Sequence, residues 1–216
     1  MDGSMPSVEY VMPDILKKTM NGHTFAVFDN SGDLGDWYDK QYTAMGDGWV
    51  VPRSAALSYI EFAEILKDND KGLLDVGSGA GYFIEVAQEY VRCVGIELST
   101  VGLEFAKKRV PTASWLKMDV EDMTFRGKEF DYVTSIGSIE HVINIDKAIR
   151  EIYRVLKDDG KFFVWVPNET WIFEDQPHEQ THTDEEWIEI FEREGFKKVK
   201  IERRGDNTAI LFVKEL

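Results

Sequence analysis

The chain has 216 residues, with 25 Lys and Arg against 40 Asp and Glu, a net charge of −15. A field of that sign repels nucleic acid and anionic membranes at long range, so no nucleic-acid or membrane partner is expected. The 43% hydrophobic content supports one folded core, and the single cysteine, Cys93, excludes an internal disulfide and a multi-cysteine metal site.

The first residues, MDGSMPSVEYVMPD, carry neither the basic nor the apolar stretch of a signal peptide. No run of about 18 apolar residues follows, so a cytoplasmic chain without a membrane span is expected. Residues 1–52 differ in composition from the rest and read as an N-terminal cap segment. Within it, SGDLGDWYDKQYTAMGDGWVVP is rich in Gly, Asp and aromatics and interrupts any long periodicity. Residues 53–216 read as one globular unit. Ala55, Tyr59, Phe62 and Leu66 recur on one helical face. From Gly72, strands and helices alternate. Leu73–Val76 is a strand, followed by a glycine turn and a helix from Tyr82 to Tyr90. Cys93–Ile96 is the second strand, and Ser99 can N-cap the next helix. Lys107-Lys108-Arg109 and Lys197-Lys198-Val199-Lys200 read as solvated helix and strand ends. Ser114–Met118 and Phe130–Ser135 are the third and fourth strands. Ile145, Ile149, Ile152 and Leu156 mark a helix ended by Asp158-Asp159-Gly160. Lys161–Val166 is the fifth strand, stopped by Pro167. Alternation of this kind predicts a mainly parallel sheet covered on both faces. The chain then closes with Val199–Arg203 and Ala209–Val213, joined by Gly205-Asp206-Asn207 as an antiparallel hairpin.

His178-Glu179-Gln180-Thr181-His182 matches H-E-x-x-H, a zinc-hydrolase pattern when it lies on a helix. Pro177 precedes it, and Thr183-Asp184-Glu185-Glu186 is a capping box. The helix therefore starts where the motif stops, and the histidines sit on a loop that does not fix a metal geometry. No metal is expected.

The turn Asp75-Val76-Gly77-Ser78-Gly79-Ala80-Gly81 joins a strand to a helix. Gly77 permits the bend, Gly79 lets a ligand approach the backbone, and the helix N-terminus offers unpaired N–H donors. A dinucleotide fingerprint needs its third glycine at position 82, which is Tyr82, and no Gly-Lys-Ser/Thr follows for a P-loop. Glu97 ends the second strand and can accept from ribose hydroxyls, and Asp119 ends the third and can accept from an adenine amino group.

In these segments the sequence resembles the class I S-adenosylmethionine-dependent methyltransferases, over roughly Gly72 to Val166 with a looser extension to the C-terminus. Leu73–Gly81, Val94–Ser99, Met118-Asp119-Val120 and Phe130–Val142 match the family's motifs in order. Arg154-Val155-Leu156-Lys157-Asp158-Asp159-Gly160 resembles its RVLKPGG signature, with Asp158 where proline is usual and Asp159 where glycine is usual. The resemblance implies a Rossmann-like, doubly wound α/β fold of seven mainly parallel strands with an antiparallel C-terminal hairpin. It implies S-adenosylmethionine as cofactor and S-adenosylhomocysteine as product. Carried over, the first motif's Gly77, Ser78, Gly79 and Gly81 hold the cofactor, and Asp75 supports the turn or the cofactor's ammonium. Glu97, with Leu98 beside it, holds the ribose, Asp119 and Val120 bracket the adenine, and Ser135 faces the transfer centre. In this fold an N-terminal segment often caps the site, which makes Trp37, Tyr38, Tyr42 and Trp49 candidates for a sulfonium-facing cover.

His141, after the fourth strand, and His182, before the capped helix, are the candidate catalytic residues, as a base or substrate contacts. The acceptor is narrowed by absence. Ser135-Ile136-Gly137-Ser138 stands where amide-type nitrogen methyltransferases carry Asn/Asp-Pro-Pro-aromatic. Cytosine C5 chemistry needs a cysteine nucleophile there, and Cys93 is in the second strand. A small-molecule O- or N-acceptor is therefore expected. A non-catalytic cofactor-binding module and an NAD-dependent oxidoreductase are the alternatives, and oligomeric state stays open.

Overall fold

The computed structural model describes residues 16–20, 23–171, 177 and 180–215. Leu16–Met20 (β1) and His23–Val27 (β2) pair as an antiparallel ribbon that the sequence reading does not anticipate. Next come two helices, Ser31–Met45 (α1) and Arg53–Phe62 (α2). The first contradicts the reading of this stretch as broken. Asn30 accepts from the Asp33 amide as N-cap, and Leu34, Tyr38 and Tyr42 fall at i, i+4 and i+8. Of its two internal glycines, Gly35 lies against the Leu98 carbonyl, which a Cβ there would approach to 3.1 Å.

The alternating unit follows as Gly72–Val76 (β3), Tyr82–Ala87 (α3), Arg92–Glu97 (β4), Thr100–Arg109 (α4) and Ser114–Lys117 (β5). It continues with Phe130–Ile136 (β6), Ile145–Val155 (α5), Leu156–Pro167 (β7), Asp184–Glu192 (α6), Phe196–Arg204 (β8) and Asn207–Lys214 (β9). The sheet order is β5-β4-β3-β6-β7-β9-β8. β5 through β7 are parallel, and β9 runs antiparallel to both β7 and β8. The order reverses between β3 and β6, and open α/β sheets bind ligands in the crevice at such a switch point.

Both faces of the sheet are buried. Leu73 and Leu74, Phe162 and Phe163, and Leu211 and Phe212 send successive side chains into opposite cores, following the strand period of two. One core packs against α5 and α6, the other against α2, α3 and α4. Trp187 of α6 is fully buried and donates its indole N–H to the Pro167 carbonyl at 2.8 Å, which fixes the end of β7. α6 starts behind the Thr183–Glu186 capping box, as read from the sequence. One boundary differs. α5 ends at Val155, and Asp158-Asp159-Gly160 belongs to β7, in the stretch where its register against β6 shifts between Phe130 and Tyr132.

Candidate active site

β3 and β4 carry two buried carboxylates to the C-terminal edge of the sheet. Asp75 is 3% exposed, and its Oδ1 accepts from the Thr134 hydroxyl of β6 at 2.7 Å. Burial pushes the Asp75 carboxyl up to about 7, the Thr134 hydroxyl draws it back, and nearby Glu97 adds to the rise. Glu97 is held through both oxygens. One accepts from the Gly79 amide and the other from the Ser99 amide, each at 2.9 Å. Burial raises its pKa as well, against the pull of these amides.

The turn after β3 is built from glycines in the left-handed region, Gly77, Gly79 and Gly81, at φ +66°, +53° and +83°. Each has its own neighbour. A Cβ at Gly77 would collide with the Ser138 side chain, at Gly79 it would lie 2.8 Å from the Tyr42 hydroxyl, and at Gly81 2.8 Å from the Trp115 ring. Gly81 is thus a packing glycine between the α3 N-terminus and Trp115. It does not line the cavity.

α1 forms the roof. Tyr42 is 4% exposed, packs edge-on against Trp49 at 5.0 Å, and fits beside Gly102, where a Cβ would meet its ring at 2.8 Å. Burial raises the pKa of its hydroxyl, with Glu97 adding to the rise. Two acidic residues fasten this roof. Asp39 Oδ1 accepts from the Ser99 hydroxyl at 2.6 Å and the Val101 amide at 3.0 Å. Asp47 accepts from Arg109 at 2.6 Å and from the Tyr82 hydroxyl at 2.8 Å. Arg109 also donates to the Ala80 carbonyl and lies 3.5 Å over the Tyr82 ring. It is a tie between roof and glycine turn, which corrects the reading of Lys107-Lys108-Arg109 as a solvated helix end.

The cavity measures about 500 Å³. It runs from Asp119 past β4 and β3 to the segment after β6 and the end of β7. Asp75, Gly77, Ser78, Gly79, Glu97 and Leu98 all line it. So do Asp119, Val120, Tyr38, Tyr42 and His141. Asp119 caps the short turn Val120–Asp122, its Oδ1 accepting from the Glu121 amide at 2.8 Å. Ser135 does not reach the cavity. It is fully buried, shares a hydrogen bond with the Ser138 hydroxyl at 3.0 Å and accepts from the Ile139 amide. His182 is also away from it, packed edge-on against Trp187 at 4.6 Å, with burial lowering its pKa and Glu186 raising it. His178 and Glu179 lie outside the described residues. His182 precedes α6, so the H-E-x-x-H string does not present a helical histidine pair, and among the described residues no acidic, His or Cys group could hold a metal ion.

Sequence reasoning missed Glu140, Tyr59 and Trp165, which line the far end of the cavity. Glu140 was legible only as part of the Ile139–Val142 motif. Five carboxylates line the cavity, those of Asp75, Glu97, Asp119, Glu121 and Glu140, and no Lys or Arg is among the described lining residues.

Residues 74–164 match the family described as methyltransferase domain. They span β3 to β7 and hold both buried carboxylates and the glycine turn. The chain carries a class I S-adenosylmethionine-dependent methyltransferase domain. Ajmaline N-methyltransferase of Rauvolfia serpentina is 35% identical over 159 residues, 62% of this chain and 54% of that protein. Across the first curated relatives the chain spans between 19% and 54% of their length. Among solved structures, the [4+2]-cyclase SpnF has a TM-score of 0.73 at 19% identity, covering 89% of this chain and 98% of that one. Phosphoethanolamine N-methyltransferase 2 of Haemonchus contortus, solved with S-adenosyl-L-methionine, has a TM-score of 0.64 at 20% identity, covering 76% and 53%.

The methyltransferase domain fits that cofactor chemically. A sulfonium and an ammonium call for carboxylates, and the wall supplies them without a Lys or Arg among its described residues. An NAD pyrophosphate would find backbone N–H and hydroxyl donors but no Lys or Arg among the described lining residues.

Proposed function

We propose that the chain catalyses methyl transfer from S-adenosylmethionine to an oxygen or nitrogen atom of a small molecule. The observation that carries this reading is the pair of buried carboxylates, Asp75 and Glu97, in a cavity wall that lacks Lys and Arg among its described residues. When bound there, the cofactor supplies a methyl carbon on a cationic sulfur, which leaves as a neutral thioether once an acceptor lone pair has formed the new bond.

The chain's own residues do the positioning. Glu97, already fixed by the Gly79 and Ser99 amides, uses its remaining lone pairs for the ribose hydroxyls. Asp75 faces the ammonium, Asp119 takes the adenine amino group, and Leu98 and Val120 cover the flat faces of the ring. The α1 roof, with Tyr38 and Tyr42, excludes water, which strengthens every charge interaction beneath it. Residues 1–52 act in this reading as the cover of the site.

His141 is the base for an acceptor that must lose a proton. Its Nδ1 lies 3.1 Å from the Pro177 carbonyl, which only accepts, so Nδ1 carries the hydrogen and Nε2 is the basic nitrogen of the neutral ring. Glu140 Oε1, 3.8 Å from Nε2, stabilises the imidazolium after proton uptake.

A second reading keeps the cofactor and drops the transfer, a binding module for which the glycine turn and Glu97 would serve equally well. Calorimetry with S-adenosylhomocysteine and NAD, followed by detection of S-adenosylhomocysteine formed with an acceptor panel, separates the cases. Preference for NAD overturns both readings. Tight cofactor binding without turnover on any acceptor favours the second.

A further inference from the structure

The far end of the cavity lies across the switch point from Glu97. Glu140, Tyr59, Trp165 and Pro167 line it, and His141 Nε2 lies 3.8 Å from Glu140 Oε1. Glu140 is 4% exposed. Tyr59 and Trp165 stand 5.1 Å apart, tilted by 45°. Two features independently select for charge. A buried carboxylate attracts a cation or a strong donor and repels an anion. Aromatic faces add attraction for the same sign. Three of the five wall carboxylates, Asp75, Glu97 and Asp119, belong to the cofactor half; Glu121 accepts from the Asn144 amide at 2.8 Å, and Glu140 is the wall carboxylate that follows β6, the neighbour of Trp165's strand. An acceptor with a carboxylate or phosphate would face this end with no Lys or Arg among its described lining residues to offset its desolvation; Arg204, whose charge reaches Tyr59, is not a lining residue and donates to Glu202 and Ser58.

We infer that the methyl acceptor is a cationic amine on an apolar or aromatic frame, and that Glu140 is the residue that specifies its charge. This deepens the methyltransferase reading and rests on it. For a primary ammonium methylated at nitrogen, one proton passes to His141 Nε2 and the freed lone pair forms the N–C bond. The electrons of the S–C bond stay on sulfur, and the product leaves as a secondary ammonium.

The test uses the full chain saturated with S-adenosylhomocysteine and three matched probes. These are tryptamine (cation), tryptophol (neutral) and indole-3-propionate (anion), each titrated by calorimetry. Tryptamine is expected to bind about tenfold or more tighter than the other two, as a charge-assisted contact requires. In Glu140→Gln, tryptamine is expected to lose about tenfold while tryptophol changes less than about twofold. Affinity for S-adenosylhomocysteine in the variant reports that the fold is intact. Equal or tighter binding of the anion, no binding of tryptamine to the loaded protein, or discrimination surviving in Glu140→Gln each overturns the proposal. The wild-type comparison stands if the variant fails to fold. Failure of S-adenosylhomocysteine to bind wild-type protein instead overturns the methyltransferase reading.

Discussion

The Ser99 hydroxyl donates to Asp39 Oδ1 at 2.6 Å, tying the α1 roof to the first turn of α4. Ser99 has three roles at once. Its oxygen also accepts from the Gly102 amide at 2.9 Å, and its amide donates to Glu97. Asp39 takes the Val101 amide, so two side chains share the capping of one helix. Asp39→Ala is expected to cost about 1–2 kcal/mol of stability, the usual worth of a cap, because Ser99 keeps its own share. It is also expected to weaken S-adenosylhomocysteine binding, since the roof and the Ser99–Glu97 contact loosen together. Urea unfolding and calorimetry read the two effects. Unchanged values in both would show that α1 is not held through this contact.

Glu97 tests the cofactor half. Both of its oxygens already accept backbone N–H groups, so Gln is not a neutral replacement there. Its NH₂ would face the Gly79 or Ser99 amide and leave a buried donor unpaired, at about 1–3 kcal/mol. Glu97→Gln and Glu97→Ala are both expected to reduce S-adenosylhomocysteine affinity by about a hundredfold or more, close to 3 kcal/mol. Binding retained by Glu97→Gln within a few-fold would mean that the ribose is held elsewhere.

The sheet was legible because its strands alternate with helices and punctuate themselves with glycine and proline. Leu73–Gly81 reads as strand and turn from its own residues, and the Thr183–Glu186 capping box survives intact in the structure. What stayed hidden depends on tertiary contact. α1 has glycines at 32 and 35 that lower its intrinsic preference, and it is held by packing on α4 and by Asp39. Its stripe of Leu34, Tyr38 and Tyr42 was the available signal. Arg109 looked like one of three surface cations until Asp47, Tyr82 and Ala80 were seen around it. Ser135 ends a motif strand, yet its side chain serves the Ser138 turn, a choice between the two faces of β6 that sequence distance does not reveal. Glu140 and Trp165 lie 25 positions apart and meet at the cavity only because β6 and β7 are neighbours.

Asp75 makes ligand binding depend on pH. Its carboxyl sits at about 7 in the folded chain against about 3.9 for an unfolded aspartate. The folded state therefore holds the proton more tightly. Its stabilising contribution is fully present below about pH 4 and is lost as pH rises towards 7. A cationic ligand favours the carboxylate, so its binding expels that proton. Affinity for S-adenosylmethionine is expected to climb by up to about tenfold per pH unit below 7 and to level off above it. Asp75→Asn, which still accepts from Thr134, is expected to flatten this rise. The cofactor's own amino group titrates against both proteins alike, so the difference isolates Asp75. Parallel pH profiles for the two proteins would remove Asp75 from the binding site.

Gly77 and Ser138 offer a test of what the first glycine is for. Gly77 is at φ +66°, and a Cβ there would collide with the Ser138 side chain, which is fixed by donating to the Val76 carbonyl at 2.8 Å. Gly77→Ala combines two costs. The left-handed backbone costs an alanine about 1–2 kcal/mol, and the steric overlap adds to it. Removing the obstructing side chain in Gly77→Ala/Ser138→Gly relieves the overlap and leaves the backbone cost. The double variant is therefore expected to unfold at a higher urea concentration than Gly77→Ala alone, while remaining below wild type. The comparison includes Ser138→Gly by itself, since that change loses the bond to Val76 and adds a flexible residue. If the two substitutions simply add, the turn's demand on Gly77 is conformational, and the close approach to Ser138 is accommodated by movement of the loop after β6.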